Sequence, residues 1–136
     1  MSTLLDSSFM IAFFNIKDIN HETAKKIMQK LKEGVYGKLF ISDYIFDEFV
    51  TLAAKRARPD LAVEWGQMLL ESDKIGMLNI DKQAFTEAWN LFRTTKGFSF
   101  TDCTLVSVAA QFSIGSIVSF DSDFDKTKSI QRIYAA

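Results

Sequence analysis

The feature that most constrains this chain is an alternation of short apolar runs with segments of helical periodicity, sustained from end to end. "STLL" (Ser2 to Leu5), "KLFIS" (Lys38 to Ser42), "IGMLNI" (Ile75 to Ile80) and "SIVSF" (Ser116 to Phe120) are each too short for a stable helix, and "SIQRIY" (Ser129 to Tyr134) offers a fifth such run. Strands that alternate with helices read as βαβ units, whose crossovers cover both faces of a parallel sheet. The expected fold class is α/β, a three-layer sandwich with a central parallel sheet of four to five short strands flanked by helices. In such sheets, sites form beyond the carboxyl ends of the strands, where the strand order reverses.

The intervening segments carry their own start and stop signals. "SSFMIAFFN" can turn helical directly after the first strand. Asn20 can cap, and Gly34 can end, a helix with Ala24, Ile27, Met28 and Leu31 on one stripe. Ser42 or Asp43 caps the next, striped by Ile45, Phe49, Leu52 and Ala53 and stopped by Pro59; another helix is expected over residues 60–72. Asp81 caps a helix striped by Phe85, Ala88, Trp89 and Phe92, and Thr101 or Asp102 caps one striped by Leu105, Val108, Ala109 and Phe112. One Pro and 6 Gly leave no linker, so residues 1–136 are expected to form a single domain.

Composition narrows the partners. A formal net charge of -1 argues against a broad basic face for nucleic acid, though not against an enzyme that meets nucleic acid through bound metal. Basic residues gather only locally, in Lys55 to Arg58 and around Arg93 and Lys96. The lone Cys103 has no internal disulfide partner and reads as a packed small hydrophobe, which suits a reducing cytoplasm. The opening "MSTLLDSSFMIAFFN" starts without Lys or Arg, carries Asp6 in its middle and is too short to span a bilayer; neither a signal peptide nor a membrane segment is expected.

The carboxylates are the informative chemistry. Asp6 follows the first strand directly, as Asp121 follows Ile117 to Phe120, so if these strands are neighbours both acids open at one sheet edge. Each acid has a plain explanation alone: Asp6 and Asp102 as helix caps, Asp121-Ser122-Asp123 as turn formers, and Glu48 as a solvated helix residue. Glu48 nevertheless sits amid apolar residues in "YIFDEFV", with Asp47 beside it. Carboxylates gathered in one pocket repel and raise one another's pKa unless a cation sits among them. Oxygen ligands alone point to Mg²⁺ or Mn²⁺, and a site that shares its metal with phosphate oxygens points to phosphodiester hydrolysis. Other routes lack equipment: His21 is the single histidine, and no HExxH pattern or Gly-rich phosphate loop is present.

In order, "LLDSSFMIAFFN", "ISDYIFDEFVTL", "FSFTDCTLVSVAAQF" and "IVSFDSDFD" resemble the PIN-domain ribonucleases, which include the VapC-type toxins of toxin-antitoxin pairs. The resemblance implies a PIN-like sheet with an acidic pocket at one edge, and Asp6, Glu48, Asp102 and Asp121 as catalytic, metal-binding acids, with Asp123 assisting the metal. It also implies Mg²⁺ or Mn²⁺ as cofactor, RNA as substrate, an antitoxin partner that masks the pocket, and a homodimer. Ser8, Thr101 and Ser119 match the small hydroxyl positions that line such pockets on the substrate side. Ser119 stands where the family often has Thr, and Cys103 where it often has Ala. The alternative is a noncatalytic PIN-like module that binds RNA or protein, which the retained acids disfavour. A receiver-type phospho-acceptor domain would use Asp81 after the third strand, but the rest of that pattern fits poorly.

Overall fold

The computed structural model describes residues 1–136 as five strands and six α-helices, a pair of helices following each of the first three strands. The elements run β1 (Ser2–Leu5), α1 (Ser7–Phe14), α2 (His21–Lys32), β2 (Lys38–Ser42), α3 (Asp43–Arg56), α4 (Pro59–Glu71) and β3 (Ile75–Leu78). They continue with α5 (Lys82–Thr94), α6 (Phe100–Gln111), β4 (Ser116–Val118), a 3-10 turn (Ser122–Lys126) and β5 (Gln131–Ile133). Every strand pair is parallel and the order is β3-β2-β1-β4-β5, as expected for a sheet covered on both faces. The chain builds outward from β1 on one side, then returns to β4 on the other. The order therefore reverses between β1 and β4, where Thr3, Leu4 and Leu5 pair with Ser116, Ile117 and Val118. No helix is long and apolar enough to cross a membrane.

The core explains the composition of these elements. Leu4, Leu5, Ile117 and Val118 of the two central strands are fully buried, which is why both read as unbroken apolar runs. From α1, Phe9, Met10, Ile11 and Ala12 are all buried, so that helix is apolar nearly all round and lies inside the packing. Ile45 and Phe49 of α3 and Leu105 and Val108 of α6 join the same core of 26 residues. Two glycines are demanded by the backbone: at Gly37 (φ 76°) a Cβ would collide with the Met1 carbonyl, and Gly97 holds a φ of 98° that other residues rarely adopt.

Three expectations are corrected. The α6 cap is Ser99, not Thr101 or Asp102: its hydroxyl accepts from the Asp102 N–H while Asp102 accepts from the Ser99 N–H. On α5 the core takes the small residues Ala84 and Ala88, and Phe85, Trp89 and Phe92 are left 45, 51 and 39% exposed. Periodicity identifies an apolar stripe but not which flank of it touches a neighbour. Here α5 lies close on α6, with the Ser107 hydroxyl donating to the Ala84 carbonyl at 2.7 Å, and only alanines fit that approach. Phe112 likewise ends half exposed beyond the last turn of α6. Cys103 is buried and free, packed with Ala88 and Phe98 as a small hydrophobe.

Candidate active site

Asp6 leaves β1 at the point where the strand order reverses. Its backbone occupies the N-cap position of α1, but its side chain makes no capping bond and points into the site instead. The buried carboxylate accepts from the Ser119 hydroxyl at 2.6 Å and from the Ser8 hydroxyl at 3.0 Å. These serines also knit the two central strand ends together, since Ser8 accepts from the Phe120 N–H and Ser119 from the Asp121 N–H, each at 3.0 Å.

The other acids arrive on separate elements. Ser42 caps α3, and a turn and a half later Glu48 is half-buried and accepts from the Ser7 hydroxyl, while Asp47 faces solvent. Asp102 is buried in the first turn of α6, where the helix dipole favours its charge. Asp121 follows β4 and accepts from the Asp123 N–H at 2.9 Å. Asp123 is braced by Lys126, whose ammonium lies 2.8 Å from it and 3.4 Å from the Gly97 carbonyl oxygen. Arg132 of β5 holds the same turn by a fork onto Asp125 at 2.9 and 2.8 Å and a bond to the Ser119 carbonyl at 3.3 Å.

Together these residues line one cleft of about 310 Å³. Asp6, Ser8, Glu48, Asp102, Asp121 and Asp123 all face it, and Ser119 lies buried directly behind Asp6. Within the cleft, Asp102, Asp121 and Asp123 each offer an oxygen, all within 4.8 Å of one another. Thr101 does not line the cleft, and its carbonyl is taken by the Thr104 hydroxyl. Ser7 and Ser99 line it without having been singled out in the sequence, and Arg56 does so from the local basic cluster of Lys55 to Arg58. Ser99 was readable, because "SFTD" carries the hydroxyl and carboxylate of a capping box at the right spacing. His21 is elsewhere, its Nδ1 2.8 Å from the Ala12 carbonyl oxygen.

Electrostatics set this cleft apart from the exposed acids. Burial pushes Asp102 up from 3.8 to about 6, with the charges of Asp6 and Asp121 adding to the rise against the lowering bonds from Ser99. Burial also raises Asp6, helped by the charge of Glu48 and opposed by the donors Ser119 and Ser8. By contrast Asp60, Asp81 and Asp125 are held below the ordinary value, mainly by bonds from Arg58, the Ala84 N–H and Arg132. Oxygen donors alone, strained by mutual repulsion and partial burial, fit a hard divalent cation such as Mg²⁺ or Mn²⁺.

The sequence profile of the PIN domain matches residues 3–130. The chain belongs to the PIN domain family. This PIN domain is 29% identical over 127 residues to the VapC ribonuclease of Archaeoglobus fulgidus, a match that covers 91% of this chain and 80% of that protein. Among solved structures it resembles Mycobacterium tuberculosis VapC20, described as a sarcin-ricin loop cleaving toxin, with a TM-score of 0.85 at 23% identity over 95% of this chain and 97% of that one. It also matches VapBC2 from Rickettsia felis, bound to a DNA fragment from the promoter, with a TM-score of 0.75 at 11% identity over 100% of both chains.

Proposed function

We propose that this PIN domain is a metal-dependent ribonuclease and the toxin half of a VapBC-type pair. The observation that carries the reading is the trio Asp102, Asp121 and Asp123, three carboxylates within 4.8 Å at the sheet edge where the order reverses. The ribonuclease relative supports RNA as the substrate. A noncatalytic binding module would gain nothing from holding such a trio against its own repulsion.

In this reading Asp102, Asp121 and Asp123 would hold Mg²⁺ or Mn²⁺, with Asp6 and Glu48 at the margin of the site. When bound, the cation would offset phosphate charge and acidify water for attack on phosphorus. The rest is work for the chain's own groups. Asp6 is fixed by two serine donors, so its remaining oxygen is pre-oriented toward the cleft. Glu48, held by Ser7, lines the cleft from the α3 side with room to accept a proton or a hydrogen bond. Asp102, raised to about 6, is partly protonated near pH 6 without a cation, and a bound cation would displace that proton, so that binding would release protons.

Two further surfaces fit the proposed partners. An apolar groove of about 570 Å³ between α1, α2 and α4, with Phe13, Phe14, Met28 and Met68 inside and Lys32, Lys38 and Lys74 at the rim, suits an amphipathic antitoxin helix bearing acids. The exposed Phe85, Trp89 and Phe92 of α5 suit a second copy of this chain in a homodimer.

The test is cleavage of labelled RNAs with Mg²⁺ or Mn²⁺, with EDTA and Asp6→Asn as controls. Cutting that needs the cation and is lost in the variant is expected, with 5′-phosphate and 3′-hydroxyl ends. Attack by the 2′-oxygen would need a general acid and base such as a histidine pair, and His21 is committed to the Ala12 carbonyl. Cyclic phosphate ends, or cutting that persists in EDTA, would overturn the reading.

A further inference from the structure

We propose that Arg56 is a phosphate-binding residue, receiving a backbone phosphate of the RNA strand that crosses the acidic cleft; this rests on the ribonuclease reading above. Glu48, Leu52 and Arg56 follow one another at four-residue spacing on α3 and all line the cleft, so the helix face that presents Glu48 also presents the guanidinium. It is the one cationic side chain among the cleft-lining residues, against five carboxylates: Asp6, Glu48, Asp102, Asp121 and Asp123.

A divalent cation offsets only part of that charge, and a polyanion still has to approach. The chain as a whole supplies little help, with a net charge of -1. A cation carried by α3 among the cleft-lining residues answers this need.

Arg56 is also free to act. Of the four arginines, Arg58 is paired with Asp60, Arg93 donates to Asn90 and Arg132 is forked onto Asp125. Arg56 has neither an ion pair nor a side-chain hydrogen bond, although it shares its cleft with five acids. An unspent guanidinium offers a planar fork of donors matched to two phosphate oxygens, which a lysine cannot reproduce. The competing explanation is that a basic residue in the last turn of α3 merely complements the helix dipole. Lys55 occupies that same turn and is exposed like Arg56 but does not line the cleft, so it separates the two explanations.

The experiment uses the full chain and a short fluorescein-labelled single-stranded RNA, with Mg²⁺ present and Asp121→Asn as a cleavage-silent background. Binding is titrated across KCl concentrations, and cleavage is followed in parallel in the chain without Asp121→Asn. Arg56→Ala is expected to weaken binding about ten-fold or more and raise KM more than it lowers kcat. It should also cut the slope of log affinity against log salt by about 0.7, one phosphate contact on a single strand. Arg56→Lys should restore the slope but only part of the affinity, and Lys55→Ala should change neither. An unchanged slope with affinity within about two-fold in Arg56→Ala, or an equal loss in Lys55→Ala, would overturn the assignment. Failure of the unsubstituted chain to cleave any RNA would instead remove the ribonuclease reading, and the binding titration would still decide whether Arg56 meets phosphate. A thermal melt of each variant separates a folding defect from lost contact.

Discussion

The two walls of the acidic cleft are built on opposite principles. On the β1 side, Asp6 is buried yet braced by two hydroxyl bonds, from Ser119 at 2.6 Å and Ser8 at 3.0 Å, that offset part of the cost of its burial. On the α6 side, Asp102, Asp121 and Asp123 face one another within 4.8 Å, and Lys126 is the one cation that pairs with any of them. One wall is braced by donors within the fold, and the other carries a charge imbalance that a divalent cation would relieve. Preorganisation and unspent repulsion, placed face to face, are what a metal site shared with a phosphate needs.

The largest effect should come from breaking the repulsive wall. Asp102→Asn and Asp121→Asn are each expected to lower RNA cleavage by about three orders of magnitude, because several kcal/mol of transition-state stabilisation depend on the cation they would hold. Single-turnover cleavage assays check this. Melts should show the folded state undisturbed or slightly firmer in metal-free buffer, since removing one charge eases the remainder. Near-normal cleavage in both variants would move the chemistry to the other wall.

Next in size is the response to metal. The unsubstituted chain should gain about 2.7 kcal/mol at a hundredfold excess of Mg²⁺ or Mn²⁺ over its dissociation constant, and Asp102→Asn should forfeit most of that gain. Thermal melts across a metal series would show it. A gain that survived Asp102→Asn but vanished in Asp6→Asn would invert the comparison between the walls.

Acidity gives a third handle. Asp102 titrates at about 6 in the fold against 3.8 ordinarily, so between those values the folded chain binds the extra proton. Metal-free stability therefore falls as pH rises through that window and levels off above it, by on the order of 2 kcal/mol once solvent screening is allowed for. Asp6 is shifted the same way. The exposed Asp60, Asp81 and Asp125 act with the opposite sign, gaining stability as pH rises through the range at and below 3.8. Urea melts from pH 4 to 8 with EDTA would expose the fall, and saturating Mg²⁺ should erase it.

How much of this was legible in the chain depends on what kind of information a residue carries. Strands and helices were readable because apolar spacing is a local signal; Asp6 and Asp121 stood out as acids after strands, whereas the roles of Glu48 and Asp102, both on helices, came from the resemblance to PIN-domain ribonucleases. The pairing of β1 with β4, only a condition in the sequence, is what brings Asp6 and Asp121 to one edge. The division into a braced wall and a repulsive one was not readable, since it depends on which hydroxyl reaches which carboxylate across 113 residues, as Ser119 does to Asp6. The outward turn of Phe85, Trp89 and Phe92 was missed for a related reason: the tight approach of α5 to α6 is a tertiary choice that leaves no mark on the periodicity.

The smallest effect tests the braced wall directly. Ser119 donates to Asp6 at 2.6 Å and accepts from the Asp121 N–H at 3.0 Å, so Ser119→Ala strips a donor from a buried carboxylate and orphans an N–H in one step. The expected cost is about 1–2 kcal/mol in a urea melt near neutral pH, and it should shrink as the pH falls, because a carboxylate that takes up a proton needs fewer donors. Ser119→Thr keeps the hydroxyl and should recover most of the loss. Thr101→Ala supplies the contrast, because that side chain makes no hydrogen bond and lies off the cleft. Its removal should cost under about 0.5 kcal/mol, the ordinary range for a surface change away from such features. Equal losses at Ser119 and Thr101, with no dependence on pH, would mean that the hydroxyl brace contributes nothing particular to Asp6 and that the two walls differ less than their geometry indicates.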